Sequence, residues 1–314
     1  MRIIAGDVGG TKVLLSARAT VPGAGSVERR YESANYSTFD DLLAAFVAEV
    51  PGPIDAACFA VAGPVLNGQA EITNLSWVMR EADLARKFDI GRVSLINDFH
   101  AVALGVPLLE AGDLLSLNAG KRDRTAPIGI VGAGTGLGEA IVTYDGTYWD
   151  VIASEGGHAD FAPQDEEQAR LFLALREKYG HVSWERLLSG MGLVNIHNFL
   201  AGEQREYDET FPPFVAKSAA EGDATAVRTF EIFVDIYGAE AGNMALRVLA
   251  RGGVFLAGGI ASKNTSWFTD GRFLRSFLRK GRFHELLADI PVDLITNAKV
   301  GLIGAGAMAE RLLK

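Results

Sequence analysis

The chain has 314 residues, 48% hydrophobic and 22% charged, the make-up of a globular protein able to bury a sizeable core in two domains without structural metal or disulfides. A formal charge of −9 argues against a nucleic-acid surface, and no apolar run approaches the roughly 18 residues of a membrane span. Cys58, alone and inside the apolar run AACFAVAG, excludes an intrachain disulfide, and the few residues before Asp7 leave no room for a signal sequence, so a cytoplasmic location is expected.

An apolar strand over 2–5 leads into the turn GDVGGT at 6–11, and Lys12–Ala19 reads as a second strand rather than a helix. A helix over about 38–50, a buried strand over 56–62, a helix over 81–88 and a strand over 93–96 ending in Asn97 and Asp98 follow, with residues 99–104 helical. The basic stretch Lys121-Arg122-Asp123-Arg124 is short and interrupted, which reads as a solvated loop. Near Ala126 the opening pattern returns as a strand over 128–131, the turn GAGTGLG at 132–138 and a strand over 139–144. Strand, Gly/Thr turn and strand in both halves predict two β-rich lobes presenting phosphate-binding hairpins across a cleft. Helices over about 165–179, 191–201, 222–250 and 272–287, a buried strand over 254–256 and a terminal helix over 300–313 complete the chain, with no Gly/Pro/Ser-rich linker.

Glycine turns let backbone N–H groups converge on an anion, so the first turn, with Asp7, Gly9, Gly10 and Thr11, and the second, with Gly134, Thr135 and Gly136, are phosphate-site candidates as well as ordinary tight turns. Competing nucleotide motifs fail on spacing. No segment supplies a Walker A loop, and Gly132 and Gly134 are followed by Leu137 where a dinucleotide fingerprint requires glycine. Gly304 and Gly306 also lack the third glycine and read as close helix packing. Gly258 and Gly259, between a strand and a helix, can let a base or ribose approach the backbone.

A sugar hydroxyl is a poor nucleophile, and a carboxylate that takes its proton suits phosphoryl transfer. Asp98, with Asn97 at a strand's C-terminal end, is the candidate, although both residue types also cap helices. In SEGGH at 154–158, Glu155 and His158 suit a polyol whose hydroxyls donate and accept; no cysteine cluster or histidine pair accompanies His158, so no metal ligand is assigned. Glu185, two residues after Ser183, reads equally well as an acid in the first turn of a Ser-capped helix.

Taken in order, GDVGGTK (6–12), LINDF (95–99), GAGTGLG (132–138), SEGGHADFAP (154–163), ERLLSGMGLVN (185–195) and LAGGI (256–260) closely resemble the bacterial glucokinase family over almost the whole chain. The resemblance implies an α/β fold of two ribonuclease-H-like, actin-like ATPase lobes around a central cleft. Residues 1–108 plus 299–314 would form the small domain and 109–298 the large one. It implies ATP-dependent phosphorylation of glucose, with Asp98 as base and Asn97, Glu155, His158 and Glu185 on the hexose. Asp7, Gly9, Gly10 and Thr11, Gly134, Thr135 and Gly136, and Gly258 and Gly259 would serve ATP, with Mg²⁺ bridging its phosphates near Asp7. A homodimer is expected on the same ground. Lys12 stands where close relatives often have Asn, and Gly63 lies in a segment where some carry Cys. The Cys-rich zinc motif of the related repressor, open reading frame and kinase group is absent. Another hexose, an amino sugar such as N-acetylmannosamine, or a polyphosphate donor stays open, because epimers are told apart by pocket geometry. A non-catalytic sugar sensor on the same fold is the rival of another class, and it has no need of a base at Asp98.

Overall fold

Alternation of apolar residues along the N-terminal segment builds β1 (Arg2–Val8) and β2 (Lys12–Ala19), which pair antiparallel up to Val8 opposite Val13 and leave residues 9–12 as the turn. The computed structural model describes residues 1–20, 25–72 and 75–314, and these fall into two units, Met1–Glu110 with Asn297–Lys314, and Ala111–Thr296. In the first unit β3 (Ser26–Glu32) edges the sheet; α1 (Phe39–Val47) follows, capped by Thr38, which accepts the Asp41 N–H at 3.1 Å. Next come β4 (Ile54–Val61), the small three-stranded sheet of β5 (Val65–Leu66), β6 (Gln69–Ile72) and β7 (Trp77–Arg80), then α2 (Glu81–Phe88), β8 (Ile90–Asn97) and α3 (Asp98–Gly105). The main sheet runs β3-β2-β1-β4-β8, with β1, β4 and β8 parallel. Ile4, Val13 and Leu15 pack with Phe39, Phe46 and Phe59 in its core.

The C-terminal helix Val300–Arg311 lies against α3 in this unit, and glycine makes the approach possible. A Cβ at Gly304 would overlap the Ala101 carbonyl, and one at Gly105 the Val300 carbonyl. The packing role read for Gly304 is therefore what the structure shows.

In the second unit β9 (Leu114–Asn118), β10 (Ile128–Ala133), β11 (Leu137–Tyr144) and β12 (Trp149–Ser154) precede α4 (Glu166–Tyr179), α5 (Gly190–Ala201), α6 (Phe211–Ala220) and the 25-residue α7 (Ala224–Val248). After them come β13 (Gly253–Ala257), α8 (Gly259–Lys263), α9 (Thr265–Thr269), α10 (Arg272–Leu278), α11 (His284–Ala288) and β14 (Val292–Ile295). The sheet order is β12-β11-β10-β13-β14-β9. Each unit thus contains an antiparallel hairpin whose first strand pairs in parallel with a later one, β2-β1-β4 and β11-β10-β13. The fold is α/β with mixed sheets.

Two expectations need correcting. The helix read over 272–287 is broken between α10 and α11, because Gly281 takes φ +57° and Lys280 is held by the Ala239 carbonyl at 2.8 Å and Asn243 Oδ1 at 2.7 Å. The basic loop is not wholly solvated: Arg122 pairs with Asp293, donates to the Gly252 carbonyl at 2.5 Å and lies 5.0 Å from the Phe255 ring centre.

Candidate active site

In the first unit the site residues sit at the C-terminal ends of parallel strands. Asp7 is level with Ala60 and Ala60 with Ile96, so Asn97 and Asp98 emerge just beyond the same row. Asn97 caps α3, its Oδ1 accepting the N–H groups of Phe99 (2.9 Å) and His100 (3.2 Å), while its Nδ2 donates to the Gly63 carbonyl at 3.1 Å. Gly63 has φ +142°, a conformation that favours glycine, so its carbonyl reaches Asn97 from a backbone shape most residues avoid. The capping reading of Asn97 is correct, and it leaves Asp98 as the first helical residue, accepting the Phe99 N–H at 2.8 Å.

Asp98 keeps solvent on one side, yet enough of the fold surrounds its carboxylate that lost hydration raises its pKa above the usual value. The hydrogen bonds from Phe99 and Asn97 pull the other way without cancelling that effect. Burial, and then the charge of Asp98, push Asp7 up to about 6. The C-terminal helix passes it at Gly301, where a Cβ would stand 3.5 Å from Asp7 Oδ2. The adjoining turn is closed by Gly9 N–H to the Lys12 carbonyl at 2.9 Å and anchored by Ser33, whose Oγ donates to the Gly9 carbonyl at 3.0 Å. Thr11 is exposed and Gly10 half-buried, so this turn is free to offer its backbone to a ligand.

In the second unit three acidic or basic side chains from two turns converge. Glu185 Oε2 accepts the Leu137 N–H at 2.9 Å, at the exit of the Gly134–Thr135–Gly136 turn, and its Oε1 lies 3.9 Å from His158 Nδ1. His158 Nε2 lies 3.7 Å from Glu155 Oε2. The Glu155 side chain is 91% exposed and that of Glu185 only 32%, so Glu185 is the fixed member and Glu155 the free one. A Cβ at Gly136 would sit 2.5 Å from Glu185 Oε2, which is why glycine is needed there. The turn itself is held by Gly134 N–H to the Gly136 carbonyl at 2.8 Å and by Gly190 N–H to the Gly134 carbonyl at 2.9 Å. Ser183 stands at the N-cap of the 3-10 turn Trp184–Arg186 with Glu185 in its first turn, as the capping alternative expects, but the Ser183 side chain makes no capping bond. Thr135, His158 and Glu185 line a cavity of about 210 Å³ that continues past Tyr179, His181 and Arg186.

Gly258, at φ +92° between β13 and α8, is packed so closely on β10 that a Cβ would overlap the Ala133 carbonyl. Sequence reasoning missed the residue that ties these two strand ends together. The Tyr237 hydroxyl, fully buried on α7, accepts the Ala133 N–H at 3.2 Å and reaches the carbonyls of Val131 at 2.9 Å and Ala257 at 3.2 Å. Nothing in the one-dimensional pattern distinguishes Tyr237 from the aromatic residues that fill the same helix face. Among the described residues no group of three His, Cys, Asp or Glu is placed to hold a metal ion. Asp7, crowded by Asp98, is nevertheless a site where a cation carried by phosphates would relieve excess negative charge.

A model of the glucokinase family matches residues 4–312. A glucokinase from Nostoc sp. is 41% identical, the alignment covering 99% of each chain. Among solved structures, a glucokinase from an Antarctic psychrotroph superposes with a TM-score of 0.88 at 29% identity, covering 99% of both chains. A glucokinase from Balamuthia mandrillaris in complex with glucose gives a TM-score of 0.80 at 21% identity, covering 98% of this chain and 93% of the other, a likeness of fold.

Proposed function

The chain belongs to the glucokinase family, and from that premise we propose how its own residues carry the γ-phosphoryl group of ATP to glucose. The observation that carries the reading is the double use of Glu185. One of its oxygens holds the backbone of the Gly134–Gly136 turn and the other faces His158, so a sugar-binding group and a phosphate-binding turn share one residue.

In this reading Glu155, His158 and Glu185 grip the hexose hydroxyls of one face, and Asn97 and Asp98 meet the hydroxyl that reacts. Asp98 takes the 6-hydroxyl proton as that oxygen bonds to the γ-phosphorus and the bond from phosphorus to the departing ADP oxygen breaks. Its raised pKa, caused mainly by burial, makes it a stronger base than an ordinary aspartate. The turns at Gly9–Thr11 and Gly134–Gly136 offer N–H groups to the phosphates, and Gly258 and Gly259 border the adenosine. Asp7 is the protein group that would lie near a Mg²⁺ carried by ATP, which when bound would offset phosphate charge. In the two-lobed, ribonuclease-H-like arrangement that the resemblance implies, each unit would form one lobe. ATP as donor fits a cytoplasmic enzyme whose product, glucose 6-phosphate, feeds glycolysis.

A coupled assay of sugar-dependent ADP release with MgATP and separate hexoses tests the reading. Turnover with glucose exceeding that with other hexoses and with N-acetylmannosamine is expected. Turnover confined to another sugar would overturn the acceptor assignment, and saturable glucose binding without any turnover would overturn the assignment of catalysis.

A further inference from the structure

Glu139 lies on β11 opposite Ser154 of β12, the strand that runs into Glu155. Its side chain points inward and is almost wholly buried, an unusual place for a carboxylate. Directly above it is the turn Gly156–His158, whose ends are the two proposed sugar ligands Glu155 and His158. A Cβ at Gly156 would overlap Glu139 Oε2, and one at Gly157 would overlap the Leu137 carbonyl, so the turn rests on β11 through two glycines. The Gly156 N–H goes to Ser154 Oγ at 2.9 Å and the His158 N–H to the Glu155 carbonyl at 2.9 Å.

We propose that Glu139 is a positioning residue for glucose: its buried carboxyl group, wedged between Gly156 and Glu240, fixes the turn that carries Glu155 and His158. The proposal rests on the reading of those two residues as sugar ligands.

The surroundings say in which form Glu139 does this. From α7, Glu240 is fully buried, pairs with Arg247 and accepts from Asn243 Nδ2 at 2.8 Å; Arg247 is 3.6 Å from Glu139, and Tyr237 belongs to the same helix. From the segment after α10, Lys280 reaches Asn243, and burial lowers its pKa. Two carboxylates face one close guanidinium. As carboxylates they have no donor between them, and Glu139 Oε1 is left buried without a hydrogen bond; a proton on Glu139 lets it bond the Glu240 side chain. Burial first, and the charge of Glu240 second, push Glu139 up to about 8, against the pull of Arg247. Near neutrality Glu139 is a neutral acid. Losing that proton as pH rises puts a negative charge on Glu139 under the sugar turn.

Steady-state kinetics of the full chain across pH, with glucose and MgATP varied separately, test this. In the native protein the glucose KM should climb as pH passes 8, while in Glu139→Gln, which keeps the shape and cannot ionise, it should stay level over that range with kcat near the native value. Gly156→Ala, whose methyl group collides with Glu139, should raise the glucose KM by about tenfold and leave the ATP KM unchanged. Adding Glu139→Ala to Gly156→Ala should recover part of that loss, because the methyl group then has room. His158→Ala separates the two levels of inference. A glucose KM untouched by His158→Ala would overturn the sugar site itself. A glucose KM raised by His158→Ala but with the same pH profile in native protein and Glu139→Gln would overturn only the role of Glu139.

Discussion

In the first unit the groups proposed to act on the reacting hydroxyl are neighbours in sequence, whereas in the second the groups proposed to hold the sugar come from turns about thirty residues apart. Asn97 and Asp98 are placed by one local event, a parallel strand giving way to a capped helix. Glu155, His158 and Glu185 are placed by long-range packing: Gly136 and Leu137 on Glu185, Gly156 on Glu139, and strand ends pinned by Tyr237. A local device tolerates changes elsewhere and fails when its own residues change. A long-range one can be damaged from behind, by residues that never meet the substrate.

The largest expected effect strikes the local device. Asp98→Asn should lower kcat by roughly 10²–10⁴-fold, the usual worth of a general base. Stability should not fall with it. The pKa of Asp98 is raised, so its protonated form stabilises the fold at low pH and that contribution fades as pH rises through the folded value. Once ionised, the partly buried carboxylate is a burden, and asparagine removes the charge while retaining the shape. Thermal melting at pH 7 alongside kinetics checks both halves; a variant that melts well below the native protein would mean that Asp98 is chiefly a structural cap.

Next in size is Glu185→Ala, which strips an acceptor from the Leu137 N–H and a neighbour from His158 together. The KM values for glucose and ATP should both rise, each by about tenfold or more, since a hydrogen bond to a charged group is worth about 1.5–3 kcal/mol. His158→Ala should move the glucose value alone. Equal behaviour of the two variants would dissolve the claim that Glu185 links sugar and phosphate sites.

A smaller loss should follow Tyr237→Phe, which leaves the Ala133 N–H buried without its partner at a cost of about 1–3 kcal/mol. Here the contrast sharpens, because Tyr237 is a helix residue remote in sequence from every glycine turn it steadies. A lowered melting temperature with a weakened ATP KM is expected; a weakened ATP KM with unchanged melting would show that the hydroxyl does more than steady the strands.

The same contrast governs what the sequence made legible. β1, β2, β4, β10 and β13 are apolar or alternating runs next to glycine turns, and all were readable, as was β8 with the strand-to-helix corner at Asn97 and Asp98. β3 was not, because an edge strand spelled SVERRYE is charged along most of its length and carries no buried face. β5 has two residues, and β6 and β7 four each, too short for any period to show. β9, β12 and β14 complete a sheet whose pairings join distant segments, and α6 starts with two prolines near its first turn. The chemistry followed the same rule. Motif residues could be named singly, but that Glu185 would reach the Leu137 N–H, or that Glu139 would face Glu240, depends on contacts across tens of residues.

The smallest effect concerns Asp7, where the two kinds of placement meet: the turn is local, but Asp98 and the C-terminal helix crowd it from afar. Its pKa is raised from 3.8 to about 6, so the stability supplied by protonated Asp7 is complete below pH 3.8 and lost as pH rises through about 6. Asp7→Asn cannot ionise and escapes that loss. Denaturant melts of the two proteins should therefore diverge between pH 4 and pH 6, the variant gaining about 1 kcal/mol after allowance for solvent screening, and run parallel above. Saturating MgATP should narrow the gap, since a cation held near Asp7 favours its ionised form and that interaction exists only in the native protein. A gap that ignores pH would mean that burial and Asp98 together do not raise the Asp7 pKa in solution. One that ignores MgATP would place the metal elsewhere.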